Sequence, residues 1–222
     1  MKNKLRYYIE AIGLGIVYMI IALIVQELFE SIPVFYYIFV HGLNLSSLKT
    51  FIFSLEIHYV ILYSIYIGLL AGIMQETATY IAVDTRKKDY ALFIGLGFSI
   101  IDIVILFIST INIFKNPHEI EVILIILNII SSLLFHPGTA TFMKWGWLTE
   151  NNRLTLLISI FMHAMVDGGL VYADIFILTT PHVYIKTIEV YWAIVMVISI
   201  FMFLLGYLKL RNVKEPEKIE NI

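Results

Sequence analysis

Residues 161–169 read FMHAMVDGG. A histidine and an aspartate stand four positions apart in a run that is otherwise apolar. On a helix, positions i and i+4 share one face. The surrounding stretch, residues 154–177, is long enough to cross a bilayer, which takes about 20 predominantly apolar residues. The fold therefore turns on whether this is a membrane helix that carries His163 and Asp167 into the hydrocarbon.

The whole chain answers that it is. Of 222 residues, 60% are hydrophobic and 14% are charged. A soluble domain is nearer half apolar and a quarter charged. Composition thus predicts an integral membrane protein. The net charge of −2 says little about partners and predicts no nucleic-acid binding. The absence of cysteine excludes disulfides, thiolate metal sites and cysteine nucleophiles. The start, MKNKLRYYIEAIGLGIVYMIIALIVQ, has a basic leader and an apolar run too long for a signal peptide. It reads as a retained first helix.

Six spans follow from hydropathy, at about 7–28, 57–83, 90–113, 119–143, 154–177 and 187–209. The segment 29–56 carries Pro33, Gly42 and the polar NLSSLKT. Its apolar piece VFYYIFV is too short to span, which predicts an interfacial or re-entrant element. The expectation is an all-α membrane protein: one polytopic domain over 1–210, a catalytic-type core over about 57–177, and a polar tail at 211–222. Twelve of the 15 basic residues fall at alternate span ends: Lys2, Lys4, Arg6, Arg86, Lys87, Lys88, Lys144, Arg153, Lys209, Arg211, Lys214 and Lys218. The positive-inside rule then predicts both termini in the cytoplasm. The expected location is a cell membrane, of the bacterial cytoplasmic kind.

Five ionisable residues remain deep in these spans: Glu76, Asp102, His136, His163 and Asp167, with Gln75 beside Glu76. No lysine or arginine lies at comparable depth. Uncompensated carboxylates in hydrocarbon are costly and mark function by default. At 1.5 Å per residue, Glu76, His136 and His163 lie roughly 12–15 Å from the cytoplasmic ends, with the aspartates about one turn deeper. Four spans thus place polar groups in one thin slab. Pro137 and Gly138 after His136 predict a bent backbone, and irregular backbone at this depth needs a covering cavity. These features predict a polar cavity open towards the cytoplasmic half. Two histidines and nearby carboxylates suit a divalent metal, with zinc the expected ion. His136 and His163 are the expected ligands, Asp102 or Glu76 completes the set, and Asp167 orients His163 or binds the ion.

Plainer readings exist for each residue. A lone histidine in a membrane helix is often an interhelical hydrogen-bond partner. Asp102 serves equally as a buried protonated acid. Trp145 and Trp147 read as interface anchors. His41, His58, His118 and His182 fall at span ends or loops and receive no role.

Four stretches in order, AGIMQETATY (71–80), ALFIGLGFSIID (91–102), FHPGTATFMKWG (135–146) and MHAMVDG (162–168), resemble a superfamily of membrane metalloproteases. It comprises the CAAX-protease and bacteriocin-processing proteins, the PrsW proteases and the YhfC-type peptidases. The likeness covers about 70–175 and is greatest to the YhfC/PrsW branch. It implies that Glu76 matches the second glutamate of a Glu-Glu pair and Asp102 the acid of the next helix. His136 and His163 match the two family histidines, and Asp167 the residue that follows the last of them.

Three positions depart from the family pattern. Gln75 replaces the first glutamate, Thr79 or Tyr80 stands where the family has arginine, and Phe98 replaces a YhfC-type histidine. The first glutamate of the family activates the attacking water, and glutamine cannot accept that proton. Either Glu76 or Asp102 takes the role, or the protein binds without cleaving. The first expectation is a metallopeptidase acting on a membrane-anchored protein or peptide, with Glu76 and Gln75 at the catalytic position. The rivals are a non-catalytic member acting in binding, regulation or immunity, and a small membrane transporter.

Overall fold

In hydrocarbon, an apolar run must satisfy its own backbone, and the helix does so within one segment. The computed structural model describes residues 2–84, 86–111, 119–179 and 184–214. Among them it forms helices and no strand. They are α1 (Lys2–Glu30), α2 (Ile32–His41), α3 (Leu45–His58), α4 (Val60–Asp84), α5 (Ala91–Thr110), α6 (Glu119–Leu148), α7 (Asn152–Thr179) and α8 (Tyr184–Arg211). A 3-10 turn, Lys88–Tyr90, leads into α5. Six helical stretches are long and apolar enough to cross a membrane: Lys4–His41, Val60–Asp84, Lys88–Thr110, Glu119–Leu148, Asn152–Ile177 and Lys186–Arg211. The protein is a multi-pass, all-α membrane protein. His118, His182 and residues 215–222 of the predicted tail lie outside the described residues.

Segment 29–56 shows where local reading stopped short. VFYYIFV does not stand alone: Ser31 keeps a right-handed conformation (φ −76°, ψ −7°), so α2 nearly continues α1. The chain reverses at Gly42, whose φ of +74° suits glycine. Asn44 then caps α3, its side-chain oxygen accepting from the N–H of Ser46 (3.0 Å) and Ser47 (3.2 Å). No residue of α2 or α3 is buried, and Phe39 is 89% exposed.

Lipid supplies no hydrophobic drive between helices, so close approach through small residues does the packing. The principal pairings are α4 with α7, α6 with α8, α1 with α5 and α5 with α6. Gly95 on α5 meets α6 at the proline: a Cβ there would lie 2.4 Å from Pro137 Cα and 2.6 Å from His136 O. Ser99, one turn on, donates to the carbonyl of Ser132 at 2.7 Å. On the other seam, Gly68 of α4 lies against Ala164 and Gly168 of α7.

The starts of α1 and α5 and the end of α8, and with them the chain termini, gather on one face, hereafter the terminal face. Tyr8 stacks on Phe93 at 4.1 Å, and Lys88 Nζ donates to Val213 O at 2.8 Å. Inside this half, Met19, Ala22, Ala78, Ile94, Phe98, Ala140 and Met143 form a continuous apolar core. Lys144, one of the span-end cations, is buried. Its ammonium donates to the carbonyls of Val83 (3.1 Å) and Asp84 (2.9 Å) at the C-terminus of α4, where a cation is favoured. Trp147 does more than anchor an interface: its ring packs on Tyr80 at 4.7 Å and its N–H donates to Tyr80 O at 3.4 Å.

The glycine seam yields a prediction. Gly95→Ala forces backbone apart and lowers stability by about 1–3 kcal/mol. Gly13→Ala, where nothing lies within 4 Å, leaves it unchanged or slightly raised. Unfolding of the two variants in detergent, followed by circular dichroism, makes the comparison.

Candidate functional site

The site begins with helical spacing. His163 and Asp102 are each the twelfth residue of their helices, α7 and α5. The bundle brings them to the same level as Glu76 of α4 and His136 of α6. His163 is 3% exposed and both of its ring nitrogens face carboxylates. Nδ1 lies 2.6 Å from Glu76 Oε1, and Nε2 lies 3.3 Å from Asp167 Oδ2. A neutral imidazole has one N–H and one lone pair. This ring is therefore doubly protonated, or a carboxyl carries a proton, or a cation takes up the Nε2 lone pair.

Glu76 is fully buried, and its second oxygen has no hydrogen-bond partner. His136, 4% exposed, turns Nε2 towards Asp102 Oδ2 at 3.8 Å, beyond hydrogen-bonding distance. Its buried Nδ1 has no partner. The two imidazoles lie 5.6 Å apart between centroids, with Phe135 edge-on to His163 at 5.1 Å.

His136, His163, Asp102, Asp167 and Gln75 all line one cavity of about 290 Å³. Glu76 does not line it; it stands behind His163. Gln75 donates to Gln26 Oε1 at 2.9 Å, and Gln26 donates to Glu30 Oε1 at 2.8 Å. A line of amides thus runs from the site along α1.

The cavity extends away from the chain termini, not towards them as the sequence-based expectation had it. Its walls run from Gln75, His136, His163 and Ser199 towards Glu30, Ile67, Asn128 and Tyr191. The latter lie near the ends of α1, α4, α6 and α8 remote from the chain termini. On the terminal side, Met19, Phe98, Ala140 and Met143 fill the bundle. Depth along a helix could not reveal this, because it does not say which half the apolar core occupies.

Sequence reading picked Gln75, Asp102, His136, His163 and Asp167 of the lining and missed Glu30 and the remaining polar residues. Asn128, Ser132 and His136 stand at i, i+4 and i+8 on α6; Tyr191, Val195 and Ser199 do the same on α8. That period puts each trio on one face; apart from His136, their members carry no charge to mark them. Gln26 and Glu30 were masked by their place at a predicted span end.

The donor chemistry bears on a metal. Carboxylate–histidine pairing such as Glu76–His163 is the usual support of a metal-binding imidazole. His136 has a nitrogen directed at the same cavity, and two carboxylates face it with side chains 39% and 33% exposed, those of Asp102 and Asp167. The residues are of the right kind. They stand as pairs: among the described residues no three His, Asp or Glu converge closely enough to hold an ion. Comparison with family models, curated proteins and solved structures finds no match.

Removing His163 leaves Glu76 buried without its partner. His163→Leu is expected to cost roughly 3–5 kcal/mol, as for other broken buried pairs. The double variant His163→Leu with Glu76→Leu recovers most of that loss, because no orphan charge remains. A double-mutant cycle on detergent unfolding measures the coupling, and additive losses would show that the pair is not energetically linked.

Proposed function

We propose that the protein is an intramembrane metallopeptidase that hydrolyses a membrane-anchored protein or peptide. The observation that carries this reading is the shared cavity: His136, His163, Asp102 and Asp167, from three helices, face one polar space inside an apolar bundle. His136, His163 and Asp167, which stand as separate groups in this structure, would draw together to hold a divalent ion, zinc by donor chemistry, and leave Asp102 free. When bound, such an ion supplies Lewis acidity towards water and a carbonyl oxygen.

The chain's own residues divide the remaining work. Glu76 holds the His163 ring by its 2.6 Å bond to Nδ1 and keeps Nε2 turned to the cavity. It is a positioning residue in this scheme, because its carboxylate has no face on the cavity. The general base therefore moves from Glu76, the first choice from sequence, to Asp102, whose carboxylate does face it. Asp102 accepts a proton as water oxygen attacks the peptide carbonyl carbon. The same proton passes to the leaving amine nitrogen when the C–N bond breaks. The apolar core on the terminal side keeps bulk water from reaching the site by that route.

One observation favours a second reading, a non-catalytic member. Gln75 stands where the resembled family has its water-activating glutamate. Here its amide is spent on Gln26, tying α4 to α1. A structural amide at that position suits a site that binds without cleaving.

Two measurements test the proposal. Elemental analysis of detergent-purified protein is expected to find about one zinc per chain, lost in His163→Ala. Cleavage of a membrane-anchored reporter peptide in liposomes is expected to fall at least roughly 100-fold in Asp102→Asn. No metal in either protein, or undiminished cleavage in the variant, overturns the reading. If wild type is inert and Gln75→Glu cleaves, the non-catalytic reading stands.

A further inference from the structure

The cavity has an outer half that the proposed chemistry does not use. Its wall on α1 ends at Glu30, half-buried and held by Gln26. With Asp102 and Asp167 it makes three carboxylates facing one space, and Glu76 stands behind as a fourth. Among the described lining residues there is no lysine or arginine. The cavity offers more carboxyl groups than imidazoles and no fixed cation, so it favours a bound cation, and low-dielectric walls strengthen that preference.

A second feature points to a ligand. Ser199 on α8 lines the same cavity, is fully buried, and its hydroxyl has no partner. A buried hydroxyl without a bond costs free energy unless something supplies one. The groups on offer are carboxylates, several hydroxyls and side-chain amides, a set rich in acceptors. It complements a compact donor with several N–H groups.

We propose that this outer half is a vestibule, open on the face away from the chain termini, that takes the protonated amine of the substrate. Glu30 is its specificity-determining residue at the mouth, and Ser199, at the inner end of the cavity, offers the amine a hydroxyl acceptor. The word substrate rests on the peptidase reading; the vestibule and its preference for cations do not. A peptide segment bearing an N-terminal amine or a lysine side chain fits, and an acidic one is repelled by the same carboxylates.

The chain has no cysteine, so one introduced thiol reports its own surroundings. Asn128→Cys and Leu170→Cys place it in the vestibule, and Met143→Cys places it in the terminal-side core. Each variant, in spheroplasts and in inverted vesicles, is treated with membrane-impermeant methanethiosulfonates of like size, one cationic and one anionic. Protease removal of a C-terminal tag identifies the terminal face in each preparation. The two vestibule thiols are expected to react from the face opposite the tag, and Met143→Cys from neither. Relative to a free thiol, the cationic reagent should be favoured roughly tenfold. Glu30→Gln should cut that preference severalfold, and octylamine, but not octanoate, should slow the labelling. Reaction from the tagged face alone, no reaction at either vestibule thiol, or equal rates for the two reagents overturns the proposal. A chain that labels as expected but holds no zinc and cleaves nothing loses the peptidase reading and keeps the vestibule.

Discussion

The pairing of His163 with Glu76 is the constraint around which the bundle is arranged. Both groups are almost wholly removed from solvent, and they meet at 2.6 Å across the α4–α7 seam. A carboxylate in that position is costly unless something compensates it. The seam must therefore be close, and the small residues along it make it so. Gly68 and Gly72 of α4 lie against the backbone of Ile160, Ala164 and Gly168 of α7. Bulk at any of these places would part the helices and strand the glutamate. Packing and polar chemistry are here one requirement: the glycines bring in the pair, and the pair gives the glycines a reason to be there.

The same logic extends to the second histidine. His136 sits one residue before Pro137, where α6 meets Gly95 of α5. The close approach at the proline puts the imidazole level with Asp102 on the facing helix. His136 and His163 thus reach one cavity by separate routes, each through a glycine contact beside the imidazole. The bundle divides into an apolar terminal half and a polar distal half. The boundary between them runs through the imidazoles, with the apolar core on one side and the cavity on the other.

The sequence readily disclosed the membrane class, the six spans and the five deep ionisable groups. These properties are local: hydropathy over a window marks a span, and a charge inside one stands out against apolar neighbours. The resemblance in four stretches and the depth argument single out the same residues. Which of them reach a common space depends on which side of a helix meets which neighbour. Glu76 and Gln75 are adjacent in the chain, yet one is sealed behind His163 and the other lies on the cavity wall. Adjacent residues on a helix point about 100° apart, and only the partners of α4 decide which of the two faces the site.

What the sequence by itself determined, then, is that this chain crosses a membrane six times and carries His136, His163, Asp102, Asp167 and Glu76 into it at one level. Segment composition and residue spacing suffice for that, since both follow from helix geometry and the thickness of a bilayer. Tertiary structure alone decided that the cavity extends away from the termini, that Gln26, Glu30, Asn128 and Ser199 belong to its walls, and that Glu76 holds a histidine rather than facing the cavity. Each of these depends on how helices distant in sequence turn towards one another, and a single helix's period leaves that rotation free.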